Sequence, residues 1–344
     1  LATELSQLPI ATAVSGSGLA FKGGIPTVST DSLGTILTQR GETLGKHKFF
    51  FAFNYQRFDF DTVDGQSLKT LPIVNVIAPT YATFTTRVDL KIDQFTALGS
   101  YGLTDKIDLS VVVPFSKVTL ASSRSDVTVY ANNTSTLISN SSLFLPGSAS
   151  GIGDVTANLK VNVLKQEHSS IAIGGEVRFP TGDETNYLGT GAYGVKPYFI
   201  FSRRGRITPN VNIGYQWNGA SALNMNTITG AKMNLPSSFL YSGGVDFLVV
   251  KHLTLNAEFL GQYIINGPRI GLAPPPGGSS APSAIQNQQF VTPLTGSYAV
   301  DNAGVGFKLN LFKGLLISAN ALFKLDDPGL RSKVVPLVGI SYKF

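Results

Sequence analysis

The sequence has no cysteine, only three histidines and only 14% charged residues among its 344. The first absence excludes disulfides and thiolate metal sites, and it suits a protein that crosses an oxidising periplasm unfolded. Scarce histidine leaves little room for nucleophilic catalysis, which needs an imidazole beside its nucleophile. Long apolar runs are missing too. Stretches such as Phe247–Val250 reach about five apolar residues with their neighbours, where a membrane helix needs roughly 20. The net charge of +6 comes from 27 Lys and Arg scattered singly, with no run longer than Arg203-Arg204, so the clustered basic face of a nucleic-acid binder is absent. The chain opens "LATELSQLPI", without a charged and then apolar leader, so a secretion signal is expected to be already removed or never present.

What is abundant is glycine (36), phenylalanine (22) and tyrosine (12), arranged with a period of two. Val155, Ala157, Leu159, Val161 and Val163 alternate with Asp154, Thr156, Asn158, Lys160 and Asn162. "RITPNVNIGYQWNG" and "NAGVGFKLNLF" repeat the pattern, which is that of strands with one apolar and one polar face. Twelve strands are expected, at 46–60, 85–101, 106–118, 153–164, 170–180, 194–202, 206–217, 238–249, 253–263, 298–311, 315–324 and 334–344. Their lengths suit strands that cross a bilayer at a tilt.

The connections sort by parity. Short turns at "GLTD", "KQEHS", "RRG", "VKH" and "FKG" alternate with long segments at 61–84, 119–152, 181–193, 218–237, 264–297 and 325–333. Outer-membrane barrels have short periplasmic turns and long external loops, so the fold class expected is an all-β, antiparallel transmembrane barrel of about twelve strands, located in the outer membrane of a Gram-negative bacterium. In the second strand the apolar set shifts from Val88, Leu90 and Ile92 to Phe95, Ala97 and Tyr101, which predicts a bulge near Gln94.

With the apolar face toward lipid, aromatic rings fall near strand ends at Tyr55, Tyr215, Trp217 and Tyr263, as girdle residues do. The lumen-lining set is then Arg87, Asp89, Lys91, Asp93, Asp108, Lys160, Glu176, Arg178, Lys196, Asp246, Glu258, Lys308 and Lys324. Both signs are interspersed, which fits cross-strand ion pairs bracing the interior better than it fits a path for solute. Twelve strands lie between barrels that side chains fill and open porins, so a modest, partly obstructed lumen is expected. Residues 1–45 form a separate N-terminal segment, either a luminal plug or a periplasmic tail, and "LPIATAV" and "GIPTV" favour the plug. The loops 119–152 and 264–297, whose stretches 127–147 and 270–294 carry no charge, serve either as an inward lid for a hydrophobic solute or as an outward surface for a partner.

Several motifs are weak. "GTGAYG" at 189–194 matches a dinucleotide pattern, but no helix N-terminus follows it to hold a pyrophosphate. "DFDTVDG" at 59–65 misses calcium-loop spacing by one position. His47, His168 and His252 fall at periplasmic ends on distant strands, away from the outer leaflet, so neither catalysis nor a metal or cofactor site is expected of them.

The stretches "LGTILTQRGETLGKHKFFFAFNYQRFDFDTVDG", "RVDLKIDQFTALGSYGLTDKIDLSVVVPF", "EVRFPTGDETNYLGTGAYGVKPYFIFS", "NIGYQWNG" and "ALFKLDDPGLRSKVVPLVGISYKF" resemble a bacterial outer-membrane family assigned to transport in the meta-cleavage pathway of phenol degradation. The likeness extends over most of residues 34–344 and is weakest in the loops 119–152 and 264–297. It implies a barrel and the passage of small hydrophobic or aromatic compounds. Val338, Ile340, Tyr342 and Phe344 also resemble the C-terminal signal read by the barrel-assembly machinery. The expected function is passive transport of a small-molecule solute, with outer-membrane lipid and the assembly machinery as partners. The rivals are a sealed structural or surface-assembly barrel and a lipid-modifying enzyme.

Overall fold

A computed structural model describes residues 19–22, 25–28, 37–77, 80–131, 134–139, 143–166, 168–203, 205–225, 229–312 and 314–343. Twelve strands form the barrel wall, and we number them in chain order. They are β1 (Phe49–Val63), β2 (Thr80–Gly102), β3 (Ile107–Ala131), β4 (Thr156–Lys165), β5 (Ser169–Arg178) and β6 (Gly194–Arg203), followed by β7 (Ile207–Asn218), β8 (Ser238–Val250), β9 (Leu253–Ala273), β10 (Phe290–Phe312), β11 (Leu315–Lys324) and β12 (Val334–Lys343). Each pairs antiparallel with its sequence neighbours. β12 closes the wall on β1, in register from Leu337 opposite Gln56 to Lys343 opposite Phe50. Closure leaves no open edge, which is what a sheet in lipid requires, because an unpaired backbone group there has no water to bond.

The alternation of the sequence becomes inside and outside. On β4, Thr156, Asn158, Lys160 and Asn162 are buried in the interior, while Leu159 and Val163 are exposed on the outer wall. On β12, Val338, Ile340 and Tyr342 are exposed outward and Leu337 is buried inward. The ladder from β12 to β1 stops at Leu337, one position short of Pro336, whose nitrogen has no hydrogen to donate. Residues Leu330–Ser332 resume the pairing with β1 at Phe60–Val63.

Two expectations need correction. No bulge occurs near Gln94: β2 stays in register with β3 from Thr85 to Gly102, and with β1 from Leu90 to Tyr101. The irregularity lies at Thr83/Thr85 instead. Even-numbered residues therefore point inward along this whole stretch, with Leu90 and Ile92 buried below Gln94, Thr96 and Leu98 in sequence order. Arg87, Asp89, Lys91 and Asp93 consequently project outward rather than into the lumen. The polarity of both environments changes along the strand, outside from lipid to water and inside from polar to apolar, so the chain needs no change of face.

The second correction concerns the two apolar loops. Residues 119–131 continue β3, where Phe115–Arg124 pair with Leu143–Ile152 and Val127–Ala131 with Thr134–Ser139, and residues 264–273 continue β9 opposite Phe290–Tyr298 of β10. These segments are rich in Thr, Val, Ile and Tyr, which favour extended backbone, and they raise the barrel wall beyond the membrane. Ala281, Ile285 and Phe290 of the second segment pack around Tyr81 at the start of β2.

Candidate functional site

The lumen has two storeys, an inner polar one and an outer one that is apolar over much of its circumference. The inner storey begins where the chain enters it. Gly45 turns with a positive φ of 92°, a conformation that an L side chain resists, and the carbonyl of Gly45 lies so close to Gly102 that a Cβ there has no room. Upstream of this turn, residues 37–44 lie inside the barrel, with Leu37, Thr38, Gln39, Arg40, Glu42 and Leu44 all buried.

This segment is held by inward-pointing side chains of the wall. Glu258 on β9 accepts hydrogen bonds from the backbone N–H groups of Leu37 and Thr38, each at 2.8 Å. Ser202 on β6 accepts from the Gly41 N–H at 2.7 Å, and Asn162 on β4 donates to the Gly41 carbonyl at 2.7 Å. Lys160 on β4 donates to the carbonyls of Arg40 (3.1 Å) and Glu42 (2.5 Å) and lies 3.6 Å from Asp108. Asp108 in turn accepts from the Leu44 N–H at 3.0 and 3.1 Å. A Cβ on Gly41 would meet the Ser170 carbonyl oxygen at 2.9 Å, so the segment is lodged directly against β5.

The inner belt explains why charged residues are tolerated in a membrane protein's core. Buried charge is costly unless it is paired or hydrogen-bonded, and each carboxylate here has donors. Asn256 and Asn320 donate to Glu258 at 2.7 and 3.2 Å, and Asn210 donates to Asp246 at 3.3 Å. Lys308 on β10 is buried in the same belt.

The outer storey is built differently. Phe58 and Phe60 of β1 stack with centroids 5.8 Å apart. Leu90 and Ile92 of β2, Val118 of β3, Leu322 of β11, and Val335 and Leu337 of β12 join them in one buried cluster, which Leu37 of the luminal segment also enters. Beside this cluster is a cavity of about 60 Å³, lined by Phe58, Phe60, Ile264, Tyr298, Leu330 and Arg331 among others. Most of its polar groups are engaged: Arg331 pairs with Asp326 at 3.0 Å and donates to Asn302 at 3.2 Å, and Gln262 donates to Ser238 at 3.0 Å, while the Ser332 hydroxyl makes no hydrogen bond among the described residues. What remains for a guest is a mainly apolar and aromatic surface with the Ser332 hydroxyl beside it. A cavity near 150 Å³ accommodates benzene, so an aromatic ring enters this one only when lining side chains turn aside to enlarge it.

The remaining circumference of the outer lumen is charged. Lys196 and Glu176 pair at 2.8 Å, and Arg178 lies 3.7 Å from Asp154 and donates to Asn218 at 2.7 Å. Lys324 sits at the rim, bonded to Thr62 and Asp327. Of the thirteen residues expected to line the lumen, nine point inward. They divide between the inner belt (Asp108, Lys160, Asp246, Glu258, Lys308) and the outer wall and rim (Glu176, Arg178, Lys196, Lys324).

Outward-facing aromatics mark the ends of the lipid-facing band. Tyr55 contacts Phe95 at 4.9 Å and Tyr215 contacts Phe239 at 4.9 Å, while Trp217 and Tyr263 are exposed at outer ends and Tyr342 at the inner end. Phe344 lies outside the described residues, as do "LPIATAV" and most of residues 1–36. The luminal residues that sequence reasoning missed are Thr38, Arg40, Gly41 and Glu42. Their only signal was a charged pair around a glycine, in a stretch otherwise poor in charge. Asp64, the last acid of "DFDTVDG", is taken up by Arg269 at 2.8 Å and by the N–H groups of Ile270 and Gly329. It ties three loops together and is not left for a cation. His47 bonds the Tyr101 hydroxyl at 2.7 Å, and His168 and His252 lie at the short turns.

No curated protein sequence matches the chain significantly. Among solved structures, an outer membrane channel from Pseudomonas putida F1 superposes with a TM-score of 0.54 at 13% identity, over 88% of this chain and 98% of that one. At that identity the likeness concerns the fold. The NanC porin gives 0.43 at 9% identity, over 86% and 100% of the two chains. The Ralstonia pickettii toluene transporter TbuX gives 0.41 at 12%, over 98% of each. A family model described as "Putative MetA-pathway of phenol degradation" matches residues 73–254, more than half of the chain. The protein is a twelve-stranded barrel of the bacterial outer membrane and belongs to that family.

Proposed function

We propose that the barrel conducts small apolar solutes, aromatic ones in particular, passively across the outer membrane, with residues 37–45 acting as a luminal plug. The observation that carries this reading is the outer storey. A scaffold needs no aromatic cavity at its mouth, whereas a solute leaving water gains about 25 cal/mol for each Å² of apolar surface it buries there. Below the cavity, the plug is fastened mainly by hydrogen bonds from wall side chains to its backbone, which can be exchanged one at a time as it shifts. The barrel then consists of two parts, residues 1–45 as the N-terminal segment and 46–344 as the wall.

No catalytic step enters this reading. The three histidines stand at the periplasmic end, and replacing all of them together is expected to leave the cell's lipid profile unchanged. Val338, Ile340 and Tyr342, apolar and outward on the last strand, suit recognition by the assembly machinery, and Tyr342→Asp is expected to lower the yield of folded barrel in the outer membrane.

The test pairs phenol uptake by cells expressing the protein with conductance in planar bilayers, for the wild type and a variant lacking residues 37–44. Saturable phenol uptake in the first and a rise in conductance in the second support the reading. A lumen that stays closed in both forms, with phenol uptake no faster than in cells without the protein, leaves the sealed-scaffold reading in its place.

A further inference from the structure

The four charged residues of β2 that turned out to face outward lie in a pattern of their own. Across β1, β2 and β3 the register aligns Tyr55, Phe95 and Phe115 in one outward row. Two residues further toward the outer end, the next row is Arg57, Asp93 and Lys117, and the next is Asp59, Lys91 and Thr119. Phe95 and Phe115 are 55% and 46% exposed, as lipid-facing rings are. Arg57 and Asp93 are 3.5 Å apart and Lys91 and Asp59 are 3.4 Å apart, while the Tyr55 hydroxyl donates to Asp93 at 2.6 Å. Lys117 is exposed and forms no ion pair among the described residues.

The depth of these rows fixes what they face. Two strand residues advance about 7 Å, and the headgroup layer occupies roughly the first 5–8 Å beyond the hydrocarbon. The first charged row therefore stands among headgroups directly above the aromatic row. In the two rows three cations face two carboxylates, and the guanidinium of Arg57 offers the forked donor geometry that suits phosphate oxygens. The pattern is local to this sector. On the opposite sector the outer row Val177, Val195 and Trp217 is apolar throughout.

We propose that the outward face of β1–β3 is a binding site for the phosphorylated saccharide headgroup of an outer-leaflet glycolipid, with Arg57, Lys91 and Lys117 as its phosphate ligands and the aromatic row against its acyl chains. Lys117 offers its charge directly, while Arg57 and Lys91 are held in place by Asp93 and Asp59. The site is separate from the lumen and does not depend on what the lumen conducts.

The test is native mass spectrometry of the intact barrel extracted in mild detergent, reading the phosphorylated glycolipid that stays bound. Near an anionic lipid surface each cation contributes roughly a fivefold gain in binding. Lys117→Gln is therefore expected to lower retention about fivefold, and the triple variant Arg57→Gln, Lys91→Gln, Lys117→Gln to lower it much further. Lys106→Gln, on a periplasmic turn, serves as reference and is expected to retain the wild-type amount. Should the triple variant not fold, judged by heat-modified gel migration, Lys117→Gln decides alone, because it breaks no ion pair. Equal retention by the wild type and Lys117→Gln overturns the proposal. So does equal competition for the site by phosphatidylglycerol, because the site would then read negative charge alone.

Discussion

The inner and outer storeys of the lumen are made from the same strands, yet they solve opposite problems. In the inner storey, wall side chains are mostly polar, apart from an apolar patch of Phe50, Ala52, Leu98 and Val112 against Leu44, and the space is occupied by another part of the chain, so that Asp108, Lys160 and Glu258 each bond the segment 37–44. In the outer storey the strands β1, β2, β11 and β12 turn apolar side chains inward, and part of the space stays open. Polar surface without a chain to satisfy it is costly to bury, whereas apolar surface can await a guest at little cost. The difference shows that polarity of the inner wall tracks what fills each level, and that it says little about distance from the membrane.

That contrast can be broken most strongly at Lys160. Replacing it with methionine leaves Asp108 buried without its ammonium partner and strips two carbonyls of the luminal segment of their donor. A loss of about 3–5 kcal/mol is expected, read as a lower urea midpoint in detergent. The same change at Lys91, which sits outward in a solvent-facing pair, is expected to cost less than about 1 kcal/mol. If the two variants lose equal stability, the assignment of faces on β2 or β4 is wrong.

In the outer storey, Leu322→Ala enlarges the cavity that this side chain lines and is expected to cost about 2–5 kcal/mol. Measured alongside it, uptake of bulkier aromatic solutes should rise relative to phenol. Gly41→Val tests the boundary between storeys: its side chain collides with the Ser170 carbonyl, at about 1–3 kcal/mol, and the plug is expected to loosen. Bilayer recordings should then show more frequent opening, with the barrel still folded by gel migration.

The smallest effect is expected at the external rim. Glu184 lies in the loop between β5 and β6, where the Lys232 ammonium donates to it at 2.8 Å and holds its carboxyl below the ordinary value near 4.5. A group with a depressed folded-state pKa contributes stability above its unfolded pKa and loses it as pH falls through the folded value. The loop is therefore expected to loosen only below about pH 4.5, and Lys232→Met should weaken that pH dependence, the Ala222 N–H and Ser221 hydroxyl still holding the carboxylate, while leaving lumen conductance unchanged. Hydrogen exchange of residues 219–225 reads it.

Much of this architecture was legible because a strand's period of two is a local property. Strand number, loop parity, and the orientation of β4–β12 follow from which residues alternate, and the glycine and aromatic content follows from a wall that must twist and anchor. β1 and β2 were harder. Along β2 the sequence from Arg87 to Tyr101 reads as a slip of phase, because a period can be seen but its sign cannot once both environments invert. Phe58, Phe60, Leu90 and Ile92 look lipid-facing by composition and are luminal by register. The apolar loops were misjudged for a related reason: Thr- and Val-rich segments without charge are equally good lids and strand extensions, and the register with a partner strand decides.

The residues alone determined that the chain closes into a membrane barrel. No other fold leaves a greasy face unpartnered on so many strands while keeping each backbone group bonded. Tertiary structure alone decided what the inside contains. Which carboxylate meets which N–H of residues 37–44, and which rings of β1 meet which leucines of β2, β11 and β12, depend on pairs far apart in sequence, 221 residues for Leu37 and Glu258. Such pairs are brought together by the stagger and closure of the sheet, and no local period records them.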